Sequence, residues 1–322
     1  MADDLDNIPV RSDLQTIAFY NLENLFDIED DPNTHDNDFL PRSEKKWTPK
    51  RYKRKLRKLG FAISNIGKKE TGKHPAIVGL AEVENAKAID NLIASKHLEA
   101  INYGYVHFDS LDERGIDVAL LYDIDVFEVT HSESFIVHLT RDDGETDYTR
   151  DILLVSGLLD GEEIHVIANH WSSRREGAQE TEHKRLAAAD KVIEIMNSLN
   201  SEYHTPKIVV IGDFNDDPSS KSIKQMVNSL DLFNPMEVLH TYSRGTTTYN
   251  FQWNLFDQIL FSTNFFEATP DTLSFDKANI FDDEFLKLLK GKYKGKPFRT
   301  FVGPKYKGGY SDHFPVYAIF KK

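Results

Sequence analysis

Residues 207–218 read Lys-Ile-Val-Val-Ile-Gly-Asp-Phe-Asn-Asp-Asp-Pro. The apolar run is rich in β-branched residues and lies between two prolines, which predicts a buried strand that ends in a polar turn. Because side chains alternate between faces along an extended chain, Asp213 and Asn215 are predicted to point the same way. The carboxylate suits Mg²⁺ or Mn²⁺, and the amide suits a phosphate oxygen or a water molecule. A plain solvated turn is the alternative, since Asp and Asn favour turns.

The composition is that of a globular protein with a sizeable core: 40% of the 322 residues are hydrophobic and 11% are aromatic. We find no linker, internal repeat or low-complexity tract. This predicts one domain over residues 14–322, after a flexible, acidic N-terminus over residues 1–13. The absence of cysteine excludes disulfides, thiolate metal sites and a cysteine nucleophile, and leaves oxygen and imidazole ligands.

The sequence gives little information about cellular location. Its apolar runs are far shorter than a membrane span, and Met1 is followed by acidic residues rather than by a basic and then an apolar segment. The chain as it stands is expected to be soluble and cytoplasmic. A secreted or periplasmic location stays open, because a trimmed signal peptide leaves no trace. No feature predicts a protein partner, and we expect a monomer.

The charge is unevenly distributed. A net charge of −13 argues against a general nucleic-acid coat protein. However, 13 of the 39 Lys and Arg residues lie between Arg42 and Lys73, beside only two acidic residues, and a second basic cluster runs from Lys287 to Lys307. One interpretation is a basic groove on an acidic body, with salt-sensitive binding of a polyanion. The other is a solvated helix face, since Thr48 and Pro49 are typical of a helix start.

Polar side chains also lie at the ends or starts of several other predicted strands. They are Asn21, Glu82, His170, Asp257 and the pair Asp312-His313. Either Glu82 or Glu84 is a candidate cap for the predicted helix from Ala86 to Ser95. His165 lies in mid-strand, on the opposite face from His170, and is predicted to be packed.

Three arginines are candidate phosphate ligands: Arg114, Arg174 and Arg175. For Arg114 the alternative is a salt bridge with Asp112 or Glu113. The aromatic segment from Thr246 to Trp253 is either an ordinary hairpin or a surface on which bases stack.

This ordered set of residues resembles the endonuclease/exonuclease/phosphatase superfamily, which includes DNase I-like nucleases, abasic-site endonucleases, inositol-phosphate phosphatases and sphingomyelinases. The resemblance runs from about Thr16 to Phe320. It rests on Asn21, Glu82, His170, Gly212-Asp213-Phe214-Asn215, Asp257 and Ser311-Asp312-His313. The stretches 114–122 and 169–174 are most similar to a bacterial branch that includes secreted nucleases. The implied fold is a four-layer α/β sandwich of two packed, mostly antiparallel mixed sheets flanked by helices, with the site at one rim.

The resemblance also implies roles for these residues. Glu82 would be the main ligand of Mg²⁺ or Mn²⁺, with Ca²⁺ as an alternative, and Asn21 and Asp312 would assist it. His313 would act as the general base, held by Asp257. Asp213 would orient the attacking water, Asn215 would hold that water and a phosphoryl oxygen, and His170 would bind the developing charge. For a carboxylate partner of His170, the candidates are Asp109 and Glu113.

The sequence thus predicts a divalent-metal-dependent phosphoesterase. A nuclease acting on DNA or RNA is the first choice because of the basic stretch from Arg42 to Lys73. The main alternative is a phosphatase or phosphodiesterase for a small-molecule, inositol-phosphate or phospholipid substrate, which the acidic net charge favours. A second alternative is a non-catalytic binding protein on the same fold.

Overall fold

A computed structural model describes residues 8–141, 143–267 and 269–322 of the chain. Of the N-terminus predicted to be flexible, residues 1–7 lie outside the described residues. The remainder contacts the body of the protein, because the backbone N–H of Arg11 donates to the carbonyl of Thr71 over 2.8 Å. The Arg11 side chain pairs with Asp13 over 2.8 Å.

The strands and α-helices follow one another along the whole chain. In chain order the strands are β1 (Leu14–Leu25), β2 (Ile77–Val83), β3 (Tyr103–His107), β4 (Asp117–Asp123), β5 (Phe127–Phe135), β6 (Leu139–Thr140), β7 (Thr146–Asp147), β8 (Ile152–Leu159), β9 (Glu162–His170), β10 (Lys207–Asp213), β11 (Leu232–Phe233), β12 (Thr247–Tyr249), β13 (Gln252–Asn254), β14 (Asp257–Ser262), β15 (Ser274–Ile280), β16 (Phe301–Val302), β17 (Lys305–Tyr306) and β18 (Val316–Lys321). The α-helices are α1 (Pro49–Ile63), α2 (Lys68–Thr71), α3 (Ala86–Ile93), α4 (Glu182–Glu202) and α5 (Lys221–Ser229). Short 3₁₀ helices cover Asn37–Phe39, Glu237–Leu239, Thr263–Phe266 and Glu284–Leu286.

Twelve of the strands form two six-stranded mixed sheets. The first sheet has the order β15-β18-β1-β2-β4-β3, and the second has the order β11-β14-β10-β9-β8-β5. Each sheet contains one parallel pair, β1 with β2 and β9 with β10, and its other neighbours are antiparallel. The predicted architecture of two packed, mostly antiparallel mixed sheets is confirmed.

The two sheets pack face to face around one apolar core. Ile17, Phe19 and Val78 of the first sheet lie in the same buried cluster as Val209 and Ile211 of the second. The sheets lie close together at Gly79, where a Cβ atom would lie 2.6 Å from Cδ1 of Ile211 and 2.9 Å from Cδ2 of Phe19. A side chain at this position would therefore require these two core side chains to shift.

Helices cover the outer faces of the sheets. Leu56, Leu59 and Ile63 of α1 belong to the cluster that includes the first sheet, as their helical spacing predicts. A second apolar cluster joins α4 and α5 to the second sheet. Helix α4 begins at Glu182 and ends at Glu202. In the part of the chain that the structure describes, no helix combines the length and apolar character that crossing a membrane requires.

His165 lies in the middle of β9 and is packed, as predicted. Its side chain is buried, its Nδ1 lies 2.7 Å from the hydroxyl oxygen of Ser156, and its ring lies 4.5 Å from that of Tyr203. Burial lowers the pKa of His165 to about 4, and the charge of His131 contributes further. His165 is therefore neutral at pH 7.

This lowered pKa predicts a loss of stability in acid. His165 binds a proton with a pKa of about 6.5 in the unfolded chain, but only near 4 in the folded protein. The neutral side chain therefore makes its full contribution to the free energy of unfolding above about pH 6.5, and this contribution is lost as the pH falls towards 4. We expect the urea midpoint of the wild type to fall more between pH 7.5 and pH 5 than that of His165→Gln, which keeps a polar group beside Ser156. Equal decreases in the two proteins would contradict this account.

Candidate active site

Three neighbouring strands of the first sheet bring Asn21, Glu82 and Asp312 to one edge. Strands β1 and β2 are parallel, and Asn21 lies opposite Ala81, directly before Glu82. Strand β18 runs antiparallel to β1, and its start at Val316 follows Asp312 by four residues. Parallel strands end at the same edge, where an antiparallel neighbour begins. The sheet order thus brings these three residues to one edge, although β1 continues past Asn21 to Leu25.

The second sheet places three other candidates directly side by side. Asp213 at the end of β10 pairs with His170 at the end of β9 and with Asp257 at the start of β14. Residues in direct register lie on the same face of a sheet. The amide of Asn21 connects the two sheets, because its Nδ2 donates to Oδ2 of Asp213 over 3.0 Å. The structure therefore brings these residues of both sheets into one site.

His313 is bound to Asp257. Its Nδ1 lies 2.7 Å from Oδ2 of Asp257 and 3.8 Å from Oδ2 of Asp213. Burial acts to lower the pKa of His313, but the carboxylates of Asp257 and Asp213 outweigh it and hold the pKa well above its usual value. These carboxylates stabilise the imidazolium that forms when the ring accepts a proton.

Asp213 is the centre of the hydrogen-bond network. Its Oδ2 accepts from Asn21, and its Oδ1 accepts from the backbone N–H of Asn215 over 3.0 Å. Burial raises the pKa of Asp213 to about 6, and the charge of Asp257 adds to this effect, whereas His313 opposes it. A carboxyl group with this pKa can carry or release a proton near neutral pH.

Asn215 reaches the site by a different backbone path from the one expected. Strand β10 ends at Asp213, and Asn215 has a φ of 48°, in the left-handed region. The alternation argument for this pair is therefore wrong, because it holds only along an extended chain. The amide of Asn215 instead donates to the carbonyl of Trp171 over 3.0 Å, which fixes it beside the end of β9.

His170 has neither of the carboxylate partners that the sequence offered. Glu113 pairs with Arg141, and Asp109 lies 3.9 Å from Nδ1 of His107. Among the described contacts, the carboxylate near His170 is Asp213, with its Oδ2 3.9 Å from Nε2. The buried Nδ1 of His170 has no hydrogen-bond partner in the described ranges. Burial, followed by the charges of Arg150 and Arg114, lowers the pKa of His170 well below its usual value.

Arg150 is a buried residue of the site that the sequence did not reveal. Its guanidinium donates to Oδ2 of Asp112 over 3.1 Å and to the carbonyl of Trp171 over 2.6 Å. It thus holds the same carbonyl that Asn215 contacts and fixes the loop after His170. No local pattern marks Arg150, because its partners lie at distant positions in the sequence.

Glu82 and Arg114 meet at the end of β2. Glu82 has a φ of 62°, and its Oε2 accepts from the backbone N–H of Asn24 over 2.8 Å. Arg114 donates to Oδ1 of Asn24 over 2.7 Å, and its Nη2 lies 3.9 Å from Oε1 of Glu82. The alternative salt bridge to Asp112 or Glu113 is therefore not the contact that Arg114 makes. A bulky residue in the left-handed region is strained, and such strain concentrates at functional sites.

The cap of α3 is Asn85, whose Oδ1 accepts from the backbone N–H of Ala88 over 2.8 Å. The prediction that Glu82 or Glu84 caps this helix is wrong. Glu84 instead accepts from the backbone N–H of Asp27. Asn is among the most favourable N-cap residues, so the sequence did contain this signal.

The structure separates the roles of the two arginines after His170. Arg174 donates to Asp216, and its guanidinium lies 4.8 Å from the ring centre of Phe256. Asp216 also pairs with the buried Arg185 over 2.9 Å. These contacts give Arg174 a structural partner and do not support the predicted contact with phosphate. Arg175 is exposed, and its phosphate contact stays a prediction.

A buried lysine lies behind the first-sheet edge of the site. Lys55 belongs to the basic stretch for which a solvated helix face was one interpretation, but only 1% of its side chain is exposed. Its Nζ donates to the hydroxyl of Thr300 and to the carbonyl of Tyr310, each over 2.6 Å, and lies 3.9 Å from Oε2 of Glu23. Burial lowers the pKa of Lys55 and raises that of Glu23.

Arg299 extends this charge cluster to Asp312. Its Nη2 donates to Oδ2 of Asp312 over 2.6 Å, and its Nε lies 3.6 Å from Oε1 of Glu23. Burial acts to raise the pKa of Asp312, but the charges of His313, Arg299 and Lys55 hold it below its usual value. Asp312 is therefore ionised at neutral pH, as a metal ligand must be.

The side chains present fit a hard divalent cation. Asn21, Glu82 and Asp312 offer amide and carboxylate oxygens at one edge, the donor type that Mg²⁺ and Mn²⁺ prefer. Asp213, Asp257 and His313 also each offer a ligand atom within 4.8 Å of the others. In this second group, Asp257 is already hydrogen-bonded to His313 over 2.7 Å. We therefore interpret these two residues as a pair that accepts a proton and not as metal ligands.

Comparisons with known proteins identify the family and support the fold. A sequence model described as "Endonuclease/Exonuclease/phosphatase family" matches residues 16–322. No curated protein sequence matches the chain.

Three solved structures share the fold at low sequence identity. An endonuclease/exonuclease/phosphatase family protein from Bacteroides thetaiotaomicron is 17% identical, with a TM-score of 0.60 over 95% of this chain and 94% of that one. D. rerio TDP2 in complex with a single-strand DNA product is 14% identical, with a TM-score of 0.58 over 96% and 99%. A mannosyl-6-phosphatase from B. thetaiotaomicron is 17% identical, with a TM-score of 0.58 over 96% and 100%. The chain belongs to the endonuclease/exonuclease/phosphatase family and has its phosphoesterase fold.

Proposed function

We propose that this protein is a divalent-metal-dependent nuclease that hydrolyses phosphodiester bonds of DNA or RNA. Its own groups supply a complete hydrolytic set: a histidine base, a carboxylate that orients it, amide donors and a carboxylate-rich edge. A cation bound by Glu82, Asn21 and Asp312 would neutralise charge on the phosphate and on the leaving oxygen. Occupation of all these positions by chemically competent residues argues against a non-catalytic binding protein.

The proton and the attacking water are handled by His313, which precedes β18 of the first sheet, and by residues of the second sheet. In its neutral form His313 accepts the proton from water, and Asp257 fixes its tautomer through the 2.7 Å bond to Nδ1. The neighbouring carboxylates favour the protonated ring, and a cation bound beside them would shift the balance towards the neutral form. Asp213 and Asn215 hold the water and a phosphoryl oxygen. His170 and Arg114 bind charge that develops on the phosphate. The register of β9, β10 and β14 determines the positions of His170, Asp213 and Asp257.

The observation that favours nucleic acid is the meeting of the two basic clusters beside the site. The Nζ of Lys58 in α1 lies 4.6 Å from the ring centre of Phe298 and 4.3 Å from that of Tyr310. Arg51 of α1 lies 4.3 Å from the ring centre of Tyr306. The same segment reaches the site through the contact of Arg299 with Asp312. Together the clusters form a cationic surface that continues to the candidate metal ligands, which suits a polyanion.

A second candidate is a phosphatase or phosphodiesterase for a small phosphoester. The net charge of −13 favours it, because most of the surface would repel a nucleic acid. The likeness to a mannosyl-6-phosphatase shows that the fold accommodates such chemistry in another protein.

The test compares plasmid DNA, single-stranded RNA and a panel of small phosphomonoesters and phosphodiesters, with Mg²⁺, Mn²⁺ or EDTA. We expect nucleic acid to be cleaved with either metal, EDTA to abolish cleavage and Glu82→Gln to weaken metal binding in calorimetry. Activity confined to small phosphoesters would support the second candidate. Absence of any hydrolysis would show that the proposal is wrong.

The basic surface predicts a distinct salt dependence. Arg54 and Arg57 are exposed on α1. The double variant Arg54→Gln/Arg57→Gln is expected to raise KM for DNA and to reduce the slope of log affinity against log salt by about 2, because each lost phosphate contact reduces it by about 1. Lys221→Gln/Lys224→Gln on α5 is the matched control and should leave the slope unchanged. The same slope in all three proteins would exclude α1 from the binding surface.

A further inference from the structure

Two exposed aromatic rings stack on each other at the tip of the hairpin formed by β12 and β13. The ring centres of Phe251 and Tyr293 lie 5.5 Å apart with an interplanar angle of 7°. Each side chain is 51% exposed. We call these two residues, with Lys292 and Lys296, the aromatic platform. Apolar rings are usually buried, so a parallel exposed pair needs an explanation other than core packing.

The backbone beneath the platform is strained. Strands β12 and β13 pair from Thr247 opposite Asn254 to Tyr249 opposite Gln252, which leaves a two-residue turn. Both turn residues have positive φ, 45° at Asn250 and 65° at Phe251. Asn tolerates this conformation well, but a bulky aromatic residue does so rarely. The turn thus holds Phe251 outward at a conformational cost.

The charge around the rings is strongly positive. Nζ of Lys292 lies 4.6 Å from the ring centre of Phe251, and Nζ of Lys296 lies 4.3 Å from it. The segment from Lys287 to Lys307 contains eight Lys and Arg residues and no acidic residue. Exposed rings interleaved with cations bind single-stranded nucleic acids, since bases stack on the rings and the cations contact the phosphates.

The platform is connected directly to the site. The hydroxyl of Thr247 donates to the carbonyl of Asp312 over 3.0 Å. The ring of Trp253 stacks on that of Phe314, which follows His313, with centres 5.9 Å apart. From this base to the tip the hairpin extends about 10 Å, at ~3.3 Å per residue. A strand of about three stacked nucleotides, at ~3.4 Å each, covers that distance.

We propose that the aromatic platform is a binding site for unpaired bases, and that the protein acts on single-stranded or unpaired regions of nucleic acid. The proposal rests on the proposed function and names its substrate class. A base stacks on the exposed part of the Phe251 and Tyr293 pair, while Lys292 and Lys296 contact the adjoining phosphates. A duplex cannot use the rings in this way, because its bases already stack on one another.

The test measures binding without cleavage, by fluorescence anisotropy in EDTA. The probes are a single-stranded decanucleotide, the same strand with one abasic position, and the corresponding duplex. We expect the wild type to prefer the intact single strand. Phe251→Ala/Tyr293→Ala should weaken binding to that strand by about 10-fold, with little change for the duplex, and should remove the discrimination against the abasic position. Lys292→Gln/Lys296→Gln should instead weaken binding to all three probes and reduce the salt slope.

The control variant is Tyr148→Ala, an exposed tyrosine outside the platform, which should bind like the wild type. Equal affinity of the wild type for single strand and duplex, or unchanged single-strand binding by Phe251→Ala/Tyr293→Ala, would overturn the proposal. Hydrolysis of bis-p-nitrophenyl phosphate tests the phosphoesterase activity separately from base binding. If all variants retain this activity, the phosphoesterase assignment stands even if the aromatic platform does not bind bases.

Discussion

His313→Ala is expected to lower kcat for phosphodiester hydrolysis by about 10²–10⁴-fold, the range that a positioned general base typically contributes. The side chain is only 11% exposed and is oriented by Asp257 through a 2.7 Å bond. Alanine removes the proton acceptor and leaves the buried Asp257 carboxylate without its partner. Single-turnover rates with saturating Mg²⁺ measure the effect on the chemical step.

Two further variants separate the loss of the base from general damage. Asp257→Asn keeps the size of the side chain but removes its charge, and it should give a smaller loss of kcat than His313→Ala. His165→Gln replaces a buried histidine of the same sheet at a position away from the site, and its kcat should match the wild type. Wild-type turnover by His313→Ala would show that another group accepts the proton.

The strand ends of the site could be predicted from the sequence because they depend on local patterns. An apolar run followed directly by a polar residue marks Glu82 and Asp213, and the sheets place these residues at the shared rim. The direct register of His170, Asp213 and Asp257 could not be predicted, since strand order depends on the whole chain.

Lys55 and Arg174 were misplaced for the same reason, because each has a partner that is distant in the sequence. Periodicity placed Lys55 on a helix face but could not reveal that groups 245 and 255 residues further along the chain would satisfy its ammonium group. Arg174 was predicted to contact phosphate, whereas its guanidinium donates to Asp216. The predicted direction of the Asn215 side chain was wrong for a local reason. The alternation of side chains was applied beyond Asp213, where the extended segment ends.

Lys55→Met is expected to destabilise the protein by about 3–5 kcal/mol, the cost typical of breaking a buried ion pair by removing one partner. Methionine fills most of the volume but leaves the Tyr310 carbonyl and the Thr300 hydroxyl without their donor, and Glu23 without its cation. Urea unfolding at pH 7 measures the change in the free energy of unfolding. Lys53→Met, at an exposed position of the same helix, is the control and should change it by less than about 0.5 kcal/mol.

A double-mutant cycle shows whether Glu23 is the reason for this cost. Glu23→Gln removes the buried charge, so Lys55→Met/Glu23→Gln should be more stable than the sum of the single changes by about 0.5–3 kcal/mol. Additive losses would mean that Lys55 acts through its contacts with Thr300 and Tyr310 alone. Because Arg299 joins this pair to Asp312, the single variant should also weaken divalent-metal binding in calorimetry. A buried lysine of α1 would then hold in place the carboxylate of Asp312, which precedes the last strand.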